Sequence, residues 1–169
     1  MKIRIKKGRH YPYLIPIVFP FCVQKNDNNY RSAQFMFTDS CMYDLGDEDQ
    51  WDVNKFLGFS IGHHHNRSSF RFGWRPILTE NLIEIVAYEY HDGFRIKTMP
   101  ICRVELNKWH NFAILYNNIV NKSFYYVNEN IFTNKVNLAK KSGLGYTLGV
   151  YFGGNEKAPQ DITIYKKRK

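Results

Sequence analysis

Three consecutive histidines, His63, His64 and His65, stand just ahead of a run in which Arg71 and Arg75 share their spacing with Phe70, Phe72 and Trp74. Imidazole ligates zinc and copper, and it takes or gives a proton near neutral pH. Consecutive side chains of a strand point to opposite faces, so His63 and His65 can converge on one ligand, while His64 needs a loop to join them. No other His, Cys or acid follows at a helical ligand spacing, and His91 and His110 reach the triplet only through the fold. Three readings of the triplet stand: a polar surface loop, a ligand-binding or catalytic histidine, and a metal site. Neither a metal nor another cofactor is expected.

Around the triplet lie side chains suited to sugars. Aromatic rings on a rigid sheet face stack on sugar rings, while Arg, Asn and Glu hydrogen-bond hydroxyls. Glu84, Tyr88 and Tyr90 share one face of an alternating segment, and Arg71 and Arg75 share one face of the segment before it. With His63 and His65 at their edge, they form a carbohydrate-binding set that needs no catalysis, which is the leading expectation. The same types serve β-elimination of a uronate, the reaction of polysaccharide lyases. There an Arg neutralises the carboxylate and a Tyr or His moves protons. His64, Arg71 and Tyr88 are the smallest such set, with His65, Arg75, Tyr90 and Tyr151 as further candidates. Ordinary cross-strand pairing accounts for the aromatics as well. Retaining glycoside hydrolysis needs two carboxylates about 5 Å apart, and the odd separation of Glu84 and Glu89 sends them to opposite faces. A third class is a structural or assembly protein, cellular or phage-borne, that uses its termini or a sheet face on a protein or nucleic-acid partner.

The elements that must position these residues are strands. Aromatics make up 17% of the 169 residues, with 12 Tyr and 13 Phe, and such residues favour half-buried sheet faces. In residues 82–90, Ile83, Ile85 and Ala87 alternate with Glu84, Val86, Tyr88 and Tyr90; in residues 68–75, Phe70, Phe72 and Trp74 face away from Ser69, Arg71 and Arg75. Asp92-Gly93 is a hairpin signal, and residues 109–116 and 124–129 form another hairpin around a turn-rich break. Shorter runs at 2–6, 33–37, 55–62, 101–106, 131–136, 145–152 and 161–165 read as strands as well, and no amphipathic helix is found. About a dozen strands at turn-punctuated spacing predict an all-β fold, an antiparallel two-sheet β-sandwich of jelly-roll type, as one domain over 1–169.

Charge, cysteines and loops narrow the rest. The formal net charge is +9, which points toward a polyanion. Nine of the 24 basic residues lie in the terminal runs (Lys2, Arg4, Lys6, Lys7, Arg9 and Lys166 to Lys169), leaving 15 against 15 acidic ones in the body. Polyanion binding is therefore expected at the two ends if anywhere, and those ends form one patch if their strands lie side by side. Cys22, Cys41 and Cys102 are odd in number and widely spaced, which fits free thiols in a reducing, cytoplasmic compartment. The apolar run 14–23 resembles a signal sequence, but two prolines interrupt it and Phe21 precedes Cys22. It is too short to span a membrane. The acidic stretch 39–52 lacks EF-hand spacing and reads as a solvated loop in preference to a calcium site. Gly153-Gly154-Asn155 follows a strand with no helix after it, so it reads as a tight loop at the sandwich rim. Nothing in the residues sets an oligomeric state.

Two resemblances add to this. Trp109-His110-x-Phe112-x-Ile114-x-Tyr116, followed by Tyr126-Val127-Asn128, resembles the hairpin of concanavalin-like jelly rolls, including laminin-G-type and lectin/glucanase domains. Glu129 stands where those have glycine, which implies a turn shifted by one toward Asn130. The E-x-D-x-x-E strand signature of the laminarinase-like relatives is absent, as are the strand motifs of polysaccharide lyases. Over about two-thirds of its length the chain also resembles small β-sandwich proteins from gut Bacteroidetes, through 51–55, 63–68, 72–75 and 151–161. That resemblance implies fold and says little about activity.

Overall fold

The computed structural model describes residues 1–12, 20–23, 28–62, 64–139 and 143–167, with the side chains of 21–23 and 28 left aside. Thirteen strands run through them: β1 Lys2–Ile5, β2 Pro20–Val23, β3 Asn28–Phe37, β4 Asn54–Ile61, β5 Ser69–Ile77, β6 Leu82–His91, β7 Phe94–Arg95, β8 Met99–Glu105, β9 His110–Asn117, β10 Lys122–Val127, β11 Asn130–Lys135, β12 Gly143–Leu148 and β13 Ile162–Lys167. They pair antiparallel throughout, into a sheet of order β1-β13-β3-β9-β10-β11 and a second of order β2-β12-β4-β5-β6-β7, with β8 also pairing β6. The architecture is the all-β, two-sheet sandwich expected from the alternation.

The layer between the sheets is built from the alternating positions. Phe70, Phe72 and Trp74 of β5 and Ile83, Ile85 and Ala87 of β6 point inward against Phe35 and Phe37 of β3 and Phe112 of β9. Phe56 sits at the centre, its ring 4.9 Å from Phe35, 5.3 Å from Phe37 and 4.9 Å from Phe112, all edge-on. Burying each such ring contributes about 1.5–3 kcal/mol, and edge-to-face contacts add about 0.5–1.5 kcal/mol per pair. This aromatic wedge packs against the inner face of the seven-stranded sheet.

The register gives the odd positions of β5 and the even positions of β6 to the opposite, outer face. Arg71 lies directly across from Tyr88 and Arg75 from Glu84. At the edge of this sheet, Asp92 and Gly93 both take positive φ (49° and 93°) and close the β6–β7 hairpin, as the Asp-Gly pair predicts.

Three boundaries differ from the sequence reading. β3 begins at Asn28, five residues before its apolar run, because its polar half is held by the ladder to β9, from Asn28 opposite Asn117 onward. The 145–152 segment is split: β12 ends at Leu148, and Tyr151 returns alone as a bridge to Lys55. The β10–β11 turn does not shift toward Asn130. Val127 pairs with Asn130, and Asn128 itself takes the left-handed conformation (φ 51°), which asparagine tolerates.

The termini do lie side by side. β1 pairs with β13, and the Met1 amine donates to the Lys166 carbonyl at 2.7 Å. Arg4 is paired with Asp161, and Lys167 lies 4.0 Å from the Trp109 ring centre. In the acidic stretch, Asp47 accepts from the Asp49 N–H at 2.9 Å and Asp44 from the Gly46 N–H at 2.9 Å, so these carboxylates serve short local turns. Cys41 is buried, its thiol pushed up to about 12 by burial, and Cys102 is free as well. No helix among the described residues is long and apolar enough to cross a membrane.

Candidate functional site

The outer face of the seven-stranded sheet carries a groove of about 1140 Å³. Its floor comes from β4, β5 and β6, through Lys55, Ser60, Arg71, Arg75, Tyr88 and Tyr90. One wall is Tyr146 and Leu148 of β12 with Gly149 to Tyr151 after it, and Tyr11 beside them; the rest of the lining includes Trp51, Arg95 and Lys97. The lining includes five basic side chains (Lys55, Arg71, Arg75, Arg95, Lys97) against the single carboxylate of Asp52, and six aromatic ones. The even charge of the chain's body thus conceals a segregation: this face is strongly cationic.

Arg71 is the innermost charge. It is only 7% exposed, its Nη2 donates to the Gly149 carbonyl at 2.8 Å, and its Nε has no partner among the described residues. No carboxylate pairs with it there. Burial brings its pKa down to about 10, opposed by Tyr88, Tyr11 and Tyr151. A buried guanidinium lacking an acid is expensive to hold and is a ready receptor for an anion. Gly58, its partner across β4, makes room: a Cβ there would lie 2.3 Å from the Phe70 carbonyl oxygen and 2.7 Å from the Arg71 Cγ.

Lys55 stands next to it. Its N–H and C=O each exchange a 2.8 Å bond with Tyr151, and the Nζ lies 4.5 Å from the Tyr88 ring centre and 5.4 Å from that of Tyr151. Burial first, then the charge of Arg71, lowers the ammonium to about 7, although Asp52 works against this. The Tyr88 hydroxyl is pushed up to about 12, chiefly by burial and by Tyr90, with Arg95 opposing. Tyr151 is raised by burial while its ring stacks on His10 at 5.3 Å. His10 in turn donates from Nδ1 to the Phe152 carbonyl at 2.9 Å.

Of the residues singled out from sequence, His65, Arg71, Arg75, Tyr88 and Tyr90 line this groove together. Glu84 faces the same way but does not line the cavity; its Oε2 accepts from Arg75 Nε at 2.6 Å and neutralises that guanidinium. His64 is exposed and outside the groove, in a turn where its carbonyl accepts from the Arg67 N–H at 3.0 Å, and His63 lies outside the described residues. Burial and the nearby cations Arg71 and Lys55 lower the His65 imidazole below its ordinary value. His91 is buried behind the sheet, 2.8 Å from Glu89, and His110 sits on the Glu105 carbonyl at 3.0 Å. Among the described residues no three His, Cys, Asp or Glu side chains are grouped to hold a metal.

Sequence reasoning missed Lys55, Trp51, Arg95, Tyr11 and Tyr146. The signal for Lys55 was present but masked: all eight residues of β4 are buried, and a register irregularity between Lys55 and Leu57 breaks the period of two. A lysine inside an apolar strand is the cue, since such residues are almost never fully buried without a reason.

No family model matches the chain, and no curated protein matches it. Solved structures similar to it in fold are alginate lyases. One, the marine alginate lyase of polysaccharide lyase family 7 from Zobellia galactanivorans, aligns with a TM-score of 0.54 at 12% identity over 88% of this chain and 62% of that one. The alginate lyase from Pseudomonas aeruginosa gives 0.52 at 9% over 85% and 66%. A family 7 alginate lyase solved with its product gives 0.53 at 7% over 84% and 62%. This chain spans under two-thirds of the length of each. At such identities the likeness establishes the jelly-roll sandwich fold and nothing further.

Proposed function

We propose that the groove binds an acidic polysaccharide, a chain of uronate sugars, and cleaves it by β-elimination. The observation that carries this reading is the buried Arg71 guanidinium, without an acid partner, at the bottom of a groove lined by five basic side chains and six aromatic rings. A uronate carboxylate on Arg71 supplies the missing anion. With its charge neutralised there, the carbon next to the carboxylate becomes more acidic, and Tyr88 on the groove floor hands its proton to the departing glycosidic oxygen. The aromatic side chains provide faces for neighbouring sugars, and the remaining cations extend the attraction along the chain. The fold likeness to alginate lyases agrees with this order of preference, which reverses the one expected from sequence.

The second reading, binding without cleavage, is favoured by the raised Tyr88 hydroxyl, which makes a phenolate costly to form. One experiment separates the two. Titration calorimetry with alginate, pectate and a neutral glucan is set beside the ultraviolet absorbance of unsaturated uronate over the same panel. Salt-sensitive binding of an acidic polymer with a growing absorbance supports the elimination. Binding without absorbance leaves the lectin-like reading, and no binding at millimolar sugar removes both.

A further inference from the structure

We infer that Lys55 is the base of this groove, its neutral amine taking the proton from the carbon that bears the uronate carboxylate. This rests on the elimination reading, which places the carboxylate on Arg71 and the departing oxygen at Tyr88 but leaves the proton acceptor open. The histidine offered by the sequence, His64, is outside the groove. His65 is at its exposed rim, and its lowered basicity makes it a weaker acceptor.

Lys55 is placed differently. It is 8% exposed, fixed in the ladder by two 2.8 Å bonds to Tyr151, and its Nζ lies over the Tyr88 ring at 4.5 Å. No ion pair or hydrogen bond to a carboxylate holds the amine among the described residues. The loop after Tyr151 closes behind it: a Cβ on Gly153 would come within 2.8 Å of Nζ, so the glycine leaves the amine its space. The groups that face it are Asp52 from the segment before β4, His65 from the loop before β5, Arg71 of β5, Tyr88 of β6, Arg95 of β7, and Tyr151 after β12. Two cations and burial outweigh one carboxylate, and the amine titrates at about 7. A buried lysine beside other cations is the arrangement that frees an amine for proton transfer at neutral pH.

The step balances without a further reactant. The C–H bond next to the carboxylate breaks and an N–H bond forms on Lys55. The electron pair becomes a carbon–carbon double bond with the neighbouring carbon, and the bond from that carbon to the glycosidic oxygen breaks. The oxygen leaves with the hydroxyl proton of Tyr88. The Lys55 ammonium then returns its proton to the phenolate, directly or through one water, and both groups are restored.

The test uses the full chain and its Lys55→Arg and Lys55→Gln variants on alginate and pectate. Arginine keeps the positive charge at every working pH but supplies no base. The expected result is that Lys55→Arg binds polyuronate within about threefold of the parent while cleavage falls about 10²- to 10⁴-fold. The acidic limb of the parent's kcat/KM profile, centred near the Lys55 titration, should be missing from the residual activity. An amine-acylating anhydride at neutral pH should label Lys55 ahead of the exposed lysines, with polyuronate protecting it. Parent-like cleavage and an unmoved acidic limb in both variants would overturn the assignment of Lys55 while leaving the elimination reading intact. A parent protein that binds polyuronates and cleaves none overturns both.

Discussion

Lys55 and Tyr151 face each other across an isolated bridge, each donating its N–H to the other's carbonyl at 2.8 Å. The bridge pins a buried amine beside a tyrosine, with Arg71 and Arg95 near it and Asp52 compensating only in part, and this has a pH signature. The unfolded amine titrates near 10.5 and the folded one at about 7, so between these values the unfolded chain binds more protons than the native one. Stability from this group is therefore fully present above about 10.5 and lost as pH falls to about 7. Lys55→Met should be more stable than the parent by several kcal/mol at pH 6 and below. That advantage should shrink steadily from pH 7 to about 10 in denaturant titrations run side by side.

Arg71 should carry most of the selectivity for acidic sugars. A hydrogen bond to a charged group contributes about 1.5–3 kcal/mol, so Arg71→Ala should weaken polyuronate binding about 10- to 100-fold. Arg71→Lys should recover little of it, because an ammonium does not reproduce the guanidinium fork that reaches both Gly149 and a carboxylate. Calorimetry at two salt concentrations measures the loss, and it should be steepest at low salt.

Trp51 reports occupancy of the groove. Its ring is 64% exposed with the Arg75 guanidinium 5.6 Å away, whereas Trp74 is fully buried. Polyuronate should change tryptophan fluorescence in a saturable way, and Trp51→Phe should abolish the change. Trp51→Ala should weaken binding about fivefold, equivalent to about 1 kcal/mol of lost stacking.

Two glycines of the groove should respond in opposite ways. Gly58→Ala puts a methyl 2.3 Å from the Phe70 carbonyl oxygen and 2.7 Å from the Arg71 Cγ, while a methyl on Gly149 meets nothing within 4 Å. Thermal denaturation should show a loss of about 1–3 kcal/mol for Gly58→Ala and almost none for Gly149→Ala. The first substitution should also weaken polyuronate binding, because it displaces Arg71.

Behind the groove sheet, Glu89 is 2% exposed and accepts from Ser123 Oγ at 2.5 Å and from Asn134 Nδ2 at 2.9 Å, with His91 Nε2 2.8 Å away. It ties β6 to β10 and β11 of the other sheet. Glu89→Ala leaves these polar partners buried and unpaired and should lower stability by about 3–5 kcal/mol, while Ser123→Ala should lower it by about 1.5–3 kcal/mol. Urea midpoints read both.

The alternation in β5 and β6 made the sandwich legible, and with it the shared orientation of Arg71, Arg75, Tyr88 and Tyr90 on one face. A period of two is a local property and survives reading without a structure. Lys55 was not legible, because β4 is buried on both faces and its register is interrupted. The wall formed by Tyr11, Tyr146 and Tyr151 depends on pairings across more than a hundred residues, such as the 2.8 Å bond from the Phe152 N–H to the His10 carbonyl. Glu84 was assigned to the correct face but not to its partner: an acid beside an arginine reads as two ligand contacts until the 2.6 Å bond between them is seen. Net charge misled for a related reason, since a sum over the chain carries no information on which face holds each sign.

The strand order β1-β13-β3 bears on how the chain is made. β1 is synthesised before the other described strands, yet its one ladder partner among them is β13, more than 150 residues later. During translation the first strand must wait, unpaired, and β13 must slot between two strands already present instead of adding at a free edge. Closure of the six-stranded sheet is therefore a late event in folding, and a ribosome-bound chain halted before Ile162 should expose the β3 edge, Gln34 to Phe37, to any chaperone or neighbouring nascent chain within reach.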